Sequence, residues 1–125
     1  MKPVKQVCLY SDEGIGNGDC FAACLASLLE IPLWMVPPFH QMFGRRDWHS
    51  RINEWLDKFF NMTIESEYKD IDVSKLPEFY IACGASSRGV KHAVIYSKGK
   101  LVHDPHPSNE GIMSVEWVEY LEKNE

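Results

Sequence analysis

The period of the hydrophobic pattern changes near Asn61, and this change constrains the fold more than any other feature of the chain. Before it, apolar residues recur at helical spacing, first from about Cys20 to Glu30 and again from near Asp47. After it, residues 62–68 alternate as a strand does, and shorter apolar runs follow. We therefore predict an α+β fold in which N-terminal helices pack on an antiparallel β-sheet.

Local signals indicate where these elements begin and end. We expect Asp19 to cap the first helix and Pro32 to limit its continuation. Residues 33–36 are typical of a short helical turn, and residues 4–10 of a strand or an extended arm. Further strands are predicted over residues 79–83, 93–96 and 101–102. Residues 115–121 are expected to be helical, with a final strand as the alternative.

Length and composition limit the classes of protein. The 125 residues, 45% hydrophobic and 25% charged, are typical of one globular domain spanning residues 1–125. A net charge of −5, with no basic cluster larger than Arg45-Arg46, argues against a nucleic-acid partner. No run approaches the roughly 18–20 apolar residues that cross a bilayer, and Met1-Lys2-Pro3 does not open a signal peptide. We expect a cytoplasmic protein without a membrane partner.

The four cysteines do not have the spacing of a disulfide-rich scaffold, and Cys24 is predicted to be a small core residue. His103, Asp104 and His106 cluster in the sequence, which raises the question of a metal site. The chain lacks the Cys-x-x-Cys and His-x3-5-His pairs of structural zinc sites, so we predict no metal.

Cys20 lies where a glycine-rich stretch runs into the first apolar helix. A thiol in the first turn of a helix faces unpaired N–H groups and the positive end of the helix dipole, and both stabilise the thiolate. Taken alone, such a cysteine is more often core filler than nucleophile. Far downstream, however, His92 and Asp104 fall on two successive predicted strands, in an order that suits a cysteine nucleophile.

The connection between those strands decides whether His92 and Asp104 share a face of the sheet. A two-residue loop of Lys98 and Gly99 would put them on opposite faces, whereas a three-residue loop that includes Ser97 would put them directly across from each other. Gly99 supplies the left-handed residue with which such three-residue loops end, so we predict the longer loop. In that register His103 points to the other face.

The chemistry of cysteine, histidine and aspartate predicts a role for each of these three residues. Cys20 would attack an acyl carbon, His92 would move the proton, and Asp104 would fix the imidazole tautomer. The backbone N–H of Cys20 and a side-chain amide from Gln6 or Asn17 are candidates for the oxyanion hole. Trp34 and Phe39, beside the Pro37-Pro38 bend, are candidates for lining a substrate cleft.

Three segments resemble papain-like cysteine peptidases, above all the small domains that cut bacteriocin leader peptides after a double glycine. They are Asp19-Cys20 before an apolar helix, His92-Ala93-Val94-Ile95, and Asp104-Pro105. The chain also resembles short phage and bacterial proteins of this type. The resemblance implies a papain-like fold with Cys20, His92 and Asp104 catalytic and no cofactor. Gly14 stands where the family has its oxyanion glutamine, which Gln6 replaces if residues 11–18 are an inserted loop; Phe21 stands in place of a glycine.

Ovarian-tumour deubiquitinases also place a cysteine between a glycine-rich loop and a helix, but His92-Ala93 does not match their C-terminal histidine before an aromatic residue. The leading hypothesis is a thiol hydrolase (peptidase, isopeptidase or amidase) acting on a peptide or protein, with acyl transfer to an amine open to the same triad. The rivals are an inactive papain-like module that captures a partner protein, and a metal-binding domain built on Cys and His.

Overall fold

The structure, a computed structural model, describes residues 1–7, 19–37 and 39–125, without the side chains of residues 40–47. Its helices are α1 (Cys20–Leu29) and α2 (Phe39–Phe60), and short 3-10 turns lie at Leu33–Met35 and Val73–Lys75. Its strands are β1 (Met62–Glu67), β2 (Tyr80–Ala85), β3 (Lys91–Ser97), β4 (Lys100–His103) and β5 (Trp117–Lys123).

All five strands form one antiparallel sheet in the order β1-β5-β2-β3-β4. Side chains alternate across this sheet, so β2, β3 and β5 each contribute to two apolar clusters. Leu25 of α1 and Leu56 of α2 belong to the larger cluster, together with Ile81 and Ile95. Tyr80, on the other face, belongs to a smaller cluster. The predicted α+β class, with helices packed on an antiparallel sheet, is confirmed.

The first helix is where the sequence places it, but its cap differs. Asp19 precedes α1 and its carbonyl accepts the N–H of Ala23 at 2.9 Å. Asp19 is the N-cap residue as predicted, but its side chain makes no capping hydrogen bond, and the carboxylate instead accepts the N–H of Val7 at 3.1 and 3.2 Å. At the other end Glu30 adopts the left-handed conformation (φ 59°) and ends the helix two residues before Pro32.

Two further expectations are corrected. The second helix begins at Phe39, directly after the proline bend, and not near Asp47. Gly44 and Arg45-Arg46 concealed its first turns, because glycine is a poor helix former and the helical apolar stripe starts only later.

Residues 115–121 are not helical, since β5 occupies Trp117–Lys123. This strand lies between β1 and β2 and pairs with both. Val118 and Glu119 point to opposite faces of the sheet, and both are buried. The strand therefore lacks the alternation of a buried apolar face with an exposed polar face that would identify it in the sequence. Within the described residues, neither helix is long and apolar enough to cross a lipid bilayer.

We predict that Gly84→Ala destabilises the fold by about 2–3 kcal/mol, because overpacking against backbone cannot relax through a side chain. Gly84 pairs with His92 across β2 and β3, and a Cβ there would lie 2.0 Å from the carbonyl oxygen of Ser114. Urea unfolding measures the change. Gly99→Asn is the control, because nothing lies within 4 Å of a Cβ at Gly99 and asparagine tolerates its φ of 79°. Equal stability losses would contradict the packing argument.

Candidate active site

Cys20 is the first residue of α1 and is half-buried with a free thiol. Its neighbour Phe21 is buried and packs edge-on against Trp48 of α2, with ring centroids 5.1 Å apart. This contact anchors the first turn of α1 while Cys20 itself keeps access to solvent. Cys24, one turn further along, is fully buried, so its prediction as a core residue is confirmed.

His92 lies near the start of β3, opposite Gly84 of β2, and is 5% exposed. On its other side the pairing between β3 and β4 ends at Ile95 and His103. The beginning of β3 therefore extends beyond the paired part of β4. Asp104, the first residue after β4, lies beside this end of β3.

The predicted three-residue loop is wrong, because β3 and β4 are joined by Lys98 and Gly99 alone, with φ angles of 52° and 79°. Ser97 pairs with Lys100, which is the register that would put Asp104 on the opposite face from His92. The register then shifts by one residue at a β-bulge, where Val102 has no partner between Leu101 and His103. A bulge moves every later side chain to the other face of the sheet. Asp104 thereby returns to the face of His92.

The His92 and Asp104 side chains are in direct contact. His92 Nε2 donates to Asp104 Oδ1 at 2.6 Å, and the two side chains are 3% and 1% exposed. The backbone N–H groups of His106 and Gly111 donate to Asp104 Oδ1 and Oδ2 at 2.9 and 2.8 Å. The carboxylate thus has three charge-stabilising donors inside the protein.

These contacts shift both groups toward their charged forms. Burial alone would raise the pKa of Asp104, but the His92 hydrogen bond, the two backbone N–H groups and the charge of His92 lower it to about 2. Burial alone would lower the pKa of His92, but hydrogen bonds to Asp104 and Cys20, and their negative charge, raise it to about 9. Near neutral pH the pair is therefore an imidazolium beside a carboxylate.

The Cys20 thiol lies close enough to the His92 ring to contribute to its raised pKa. Since Nε2 is bound to Asp104, Nδ1 is the ring nitrogen left for the sulfur. The structure thus brings together the three predicted residues Cys20, His92 and Asp104, with the imidazole between thiol and carboxylate. This is the order in which a nucleophile, a proton carrier and an orienting group act.

Gln6, one of the two oxyanion candidates, lies between the two halves of the site. Its backbone N–H donates to the carbonyl of Pro105 at 3.0 Å, beside Asp104. The next residue, Val7, donates to the carboxylate of Asp19, beside Cys20. Gln6 is itself buried. Asn17, the other candidate, lies outside the described residues.

The two residues predicted to line a substrate cleft are not brought to this site. Phe39 is buried in the larger cluster, 6% exposed, and packs on Trp55 with ring centroids 5.9 Å apart. Its apolar ring is core, which corrects the prediction. Trp34 is 83% exposed on the turn after the carboxyl end of α1, whereas Cys20 begins that helix. Among the described contacts of the three triad residues, none involves Trp34.

Two nearby histidines have other partners. His103 pairs with Ile95, on the opposite face from His92 as expected, and its Nε2 donates to the carbonyl of Val4 at 2.7 Å. His106 Nδ1 accepts the N–H of Ser108 at 3.0 Å, and its ring centroid lies 5.9 Å from that of His92. Across the ranges that the structure describes, no three His, Cys, Asp or Glu residues are grouped to hold a metal ion.

A second polar cluster was missed by sequence reasoning. Glu119 of β5 is 2% exposed, its carboxylate accepts the hydroxyl of Ser66 at 3.1 Å, and His49 Nε2 lies 3.4 Å from the same oxygen. Burial, the largest influence, raises the pKa of Glu119. Glutamates at every third position, 116, 119 and 122, are typical of the exposed face of a helix. Nothing in the sequence therefore marked Glu119 as buried.

Comparisons of the chain with protein-family models, with curated proteins and with solved structures found no significant match in any of the three. The chemistry of the site is therefore argued from its own geometry.

We predict that Asp104→Asn lowers the pKa of His92 and destabilises the fold by about 2–3 kcal/mol between roughly pH 4 and 6.5. Between the ordinary pKa values of 3.8 and 6.5, both groups are charged in the folded and in the unfolded protein, so the full stabilisation by the ion pair is present. The loss shrinks as pH rises through about 9, where folded His92 gives up its proton, and as pH falls through about 2, where Asp104 gains one. Urea unfolding across pH measures it, and a difference independent of pH would exclude the ion pair as its cause.

Proposed function

We propose that this protein is a cysteine hydrolase of papain-like fold that cleaves amide bonds in a peptide or protein with Cys20, His92 and Asp104. The observation that carries the proposal is the position of the buried His92 imidazole, between the Cys20 thiol and the Asp104 carboxylate. The half-exposed thiol at the start of a helix adds support, because a nucleophile must reach its substrate.

The reaction follows from these three groups. The Cys20 sulfur attacks the carbonyl carbon as a thiolate, while the adjacent His92 imidazolium holds the proton, and a tetrahedral oxyanion forms. The oxyanion collapses, His92 protonates the departing amine, and a thioester on Cys20 remains. His92 then takes a proton from water as the water attacks the thioester, and the carboxylic acid and free thiol are released. If an amine replaces water in the second half, the result is acyl transfer.

Asp104 acts through His92 in both halves. Its carboxylate holds Nε2–H, so Nδ1 remains the nitrogen that exchanges the proton with sulfur. It also stabilises the imidazolium form of His92 before the attack of Cys20 and again during the attack of water. The backbone N–H groups of His106 and Gly111 keep the carboxylate ionised and fixed, so it need not reorganise during the reaction.

We expect iodoacetamide at pH 6 to alkylate Cys20 selectively, and His92→Ala to slow that alkylation about a hundredfold. Iodoacetamide reacts with the thiolate form of cysteine, and a neighbouring imidazolium favours that form. Peptide mapping by mass spectrometry gives the rate at each cysteine. The buried Cys24 and Cys83, whose pKa values burial raises, serve as internal references.

Cleavage itself is tested by incubating the protein with a peptide library and sequencing the new termini. Cys20→Ala, which retains the fold but lacks the nucleophile, is the matched control. Equal labelling of all cysteines at pH 6, together with no Cys20-dependent products, would reject the hydrolase and favour the binding module.

For any substrate found this way, we predict that Gln6→Ala lowers kcat about a hundredfold while leaving the Cys20 alkylation rate unchanged. An oxyanion donor acts only on the tetrahedral intermediate, which alkylation does not form. Asn17→Ala is the control, since it removes the competing amide. A large effect of Asn17→Ala with none of Gln6→Ala would transfer the role to Asn17.

A further inference from the structure

Residues 1–7 form an arm that contacts both halves of the candidate site. On the side of α1, the N–H of Val4 donates to the Ser27 hydroxyl at 2.9 Å, and the N–H of Lys2 donates to the Ser27 carbonyl at 3.0 Å. On the other side, the N–H of Gln6 donates to the carbonyl of Pro105, after β4, and the carbonyl of Val4 accepts from His103, the last residue of β4. The arm therefore joins the helix that begins with Cys20 to the segment that begins with Asp104.

Lys5 makes the densest of these contacts. Its ammonium donates to the carbonyl oxygen of Asp104 at 2.8 Å and to that of His106 at 3.2 Å, and it also contacts the side-chain oxygen of Asn109. An ammonium has three donors, and three oxygens of one loop accept them. Although Lys5 is exposed, this geometry fixes the loop of residues 104–109 at three points.

This loop and the residues directly after it, up to Gly111, supply the backbone groups that hold the Asp104 carboxylate. The N–H of His106 lies in the peptide chain beside the carbonyls that Lys5 binds, and the N–H of Gly111 follows two residues after Asn109. Lys5 thus binds oxygens of this segment, and the Asp104 carboxylate binds N–H groups of the same segment. Lys5 itself makes no contact with the imidazole or the thiol among its described hydrogen bonds.

We propose that Lys5 is a positioning residue of the triad, which orders residues 104–111 so that the N–H groups of His106 and Gly111 hold the Asp104 carboxylate against His92. The inference rests on the proposed function for its catalytic meaning. The positioning itself is a property of the His92–Asp104 pair and can be measured without a substrate.

The test compares Lys5→Met with Lys2→Met, a matched control on the same arm. We expect Lys5→Met to lower the pKa of His92 by about half a unit, followed by NMR of the imidazole, because a less ordered carboxylate supports the imidazolium less. Cys20 alkylation at pH 6 should slow about three- to tenfold. Lys2→Met should leave both values unchanged.

The sign of the shift separates positioning from simple charge. If Lys5 acted only as a nearby positive charge, its removal would raise the pKa of His92. A rise, or no change, would overturn the proposal. The melting temperature, followed by circular dichroism, shows whether Lys5→Met remains folded under the assay conditions.

Chemical rescue gives an independent readout. In Lys5→Ala, ammonium ions should occupy the three-oxygen site and restore much of the His92 pKa, whereas sodium chloride at the same concentration should not. Equal effects of the two salts would count against a specific site. An unreactive Cys20 in the unmodified protein would refute the hydrolase while leaving the His92 measurement valid, so the two failures are distinguishable.

Discussion

The structure around the site depends on keeping an imidazolium and a carboxylate together out of water. Removing two charges from solvent costs several kcal/mol for each ion, and their attraction offsets this only when the remaining hydrogen-bonding capacity is satisfied. His92 and Asp104, 3% and 1% exposed, meet that condition through the N–H groups of His106 and Gly111 and the thiol of Cys20. The loop after β4 and the start of α1 are therefore placed by electrostatics as well as by packing.

The bulge in β4 is the backbone feature that allows the His92 and Asp104 side chains to meet. A tight two-residue turn at Lys98-Gly99 suits the twist of a hairpin, but its register would put Asp104 on the face opposite His92. One unpaired residue, Val102, restores the shared face without lengthening the turn. The turn thus determines the initial register of the hairpin, and the bulge places the Asp104 carboxylate on the face of His92.

Sequence reasoning succeeded where local pattern and tertiary structure agree. The apolar stripe of α1 and the runs of β2 and β3 are strong periodic signals, and the juxtaposition of His92 and Asp104 followed from chain order. His92 and Asp104 were expected to share a face because of a three-residue loop, whereas a β-bulge places them there. Nothing in Leu101-Val102-His103 marks that bulge. β5 was predicted only as the alternative to a helix, because a strand between two others is defined by its partners. Phe39 was assigned to a cleft because an aromatic residue beside Pro37-Pro38 is equally typical of a cleft and of a core.

The three described cysteines show why the site is best explained by chemistry. Cys24 and Cys83 are buried among apolar residues, where a thiol is simply a small hydrophobic group. Cys20 differs from both in being half-exposed and in contacting an imidazole that is itself held by a buried carboxylate. A buried ion pair contributes less to stability than well-packed apolar residues of the same volume. A fold that needed only stability would gain by replacing His92 and Asp104, so their presence beside the accessible Cys20 thiol favours a role in catalysis.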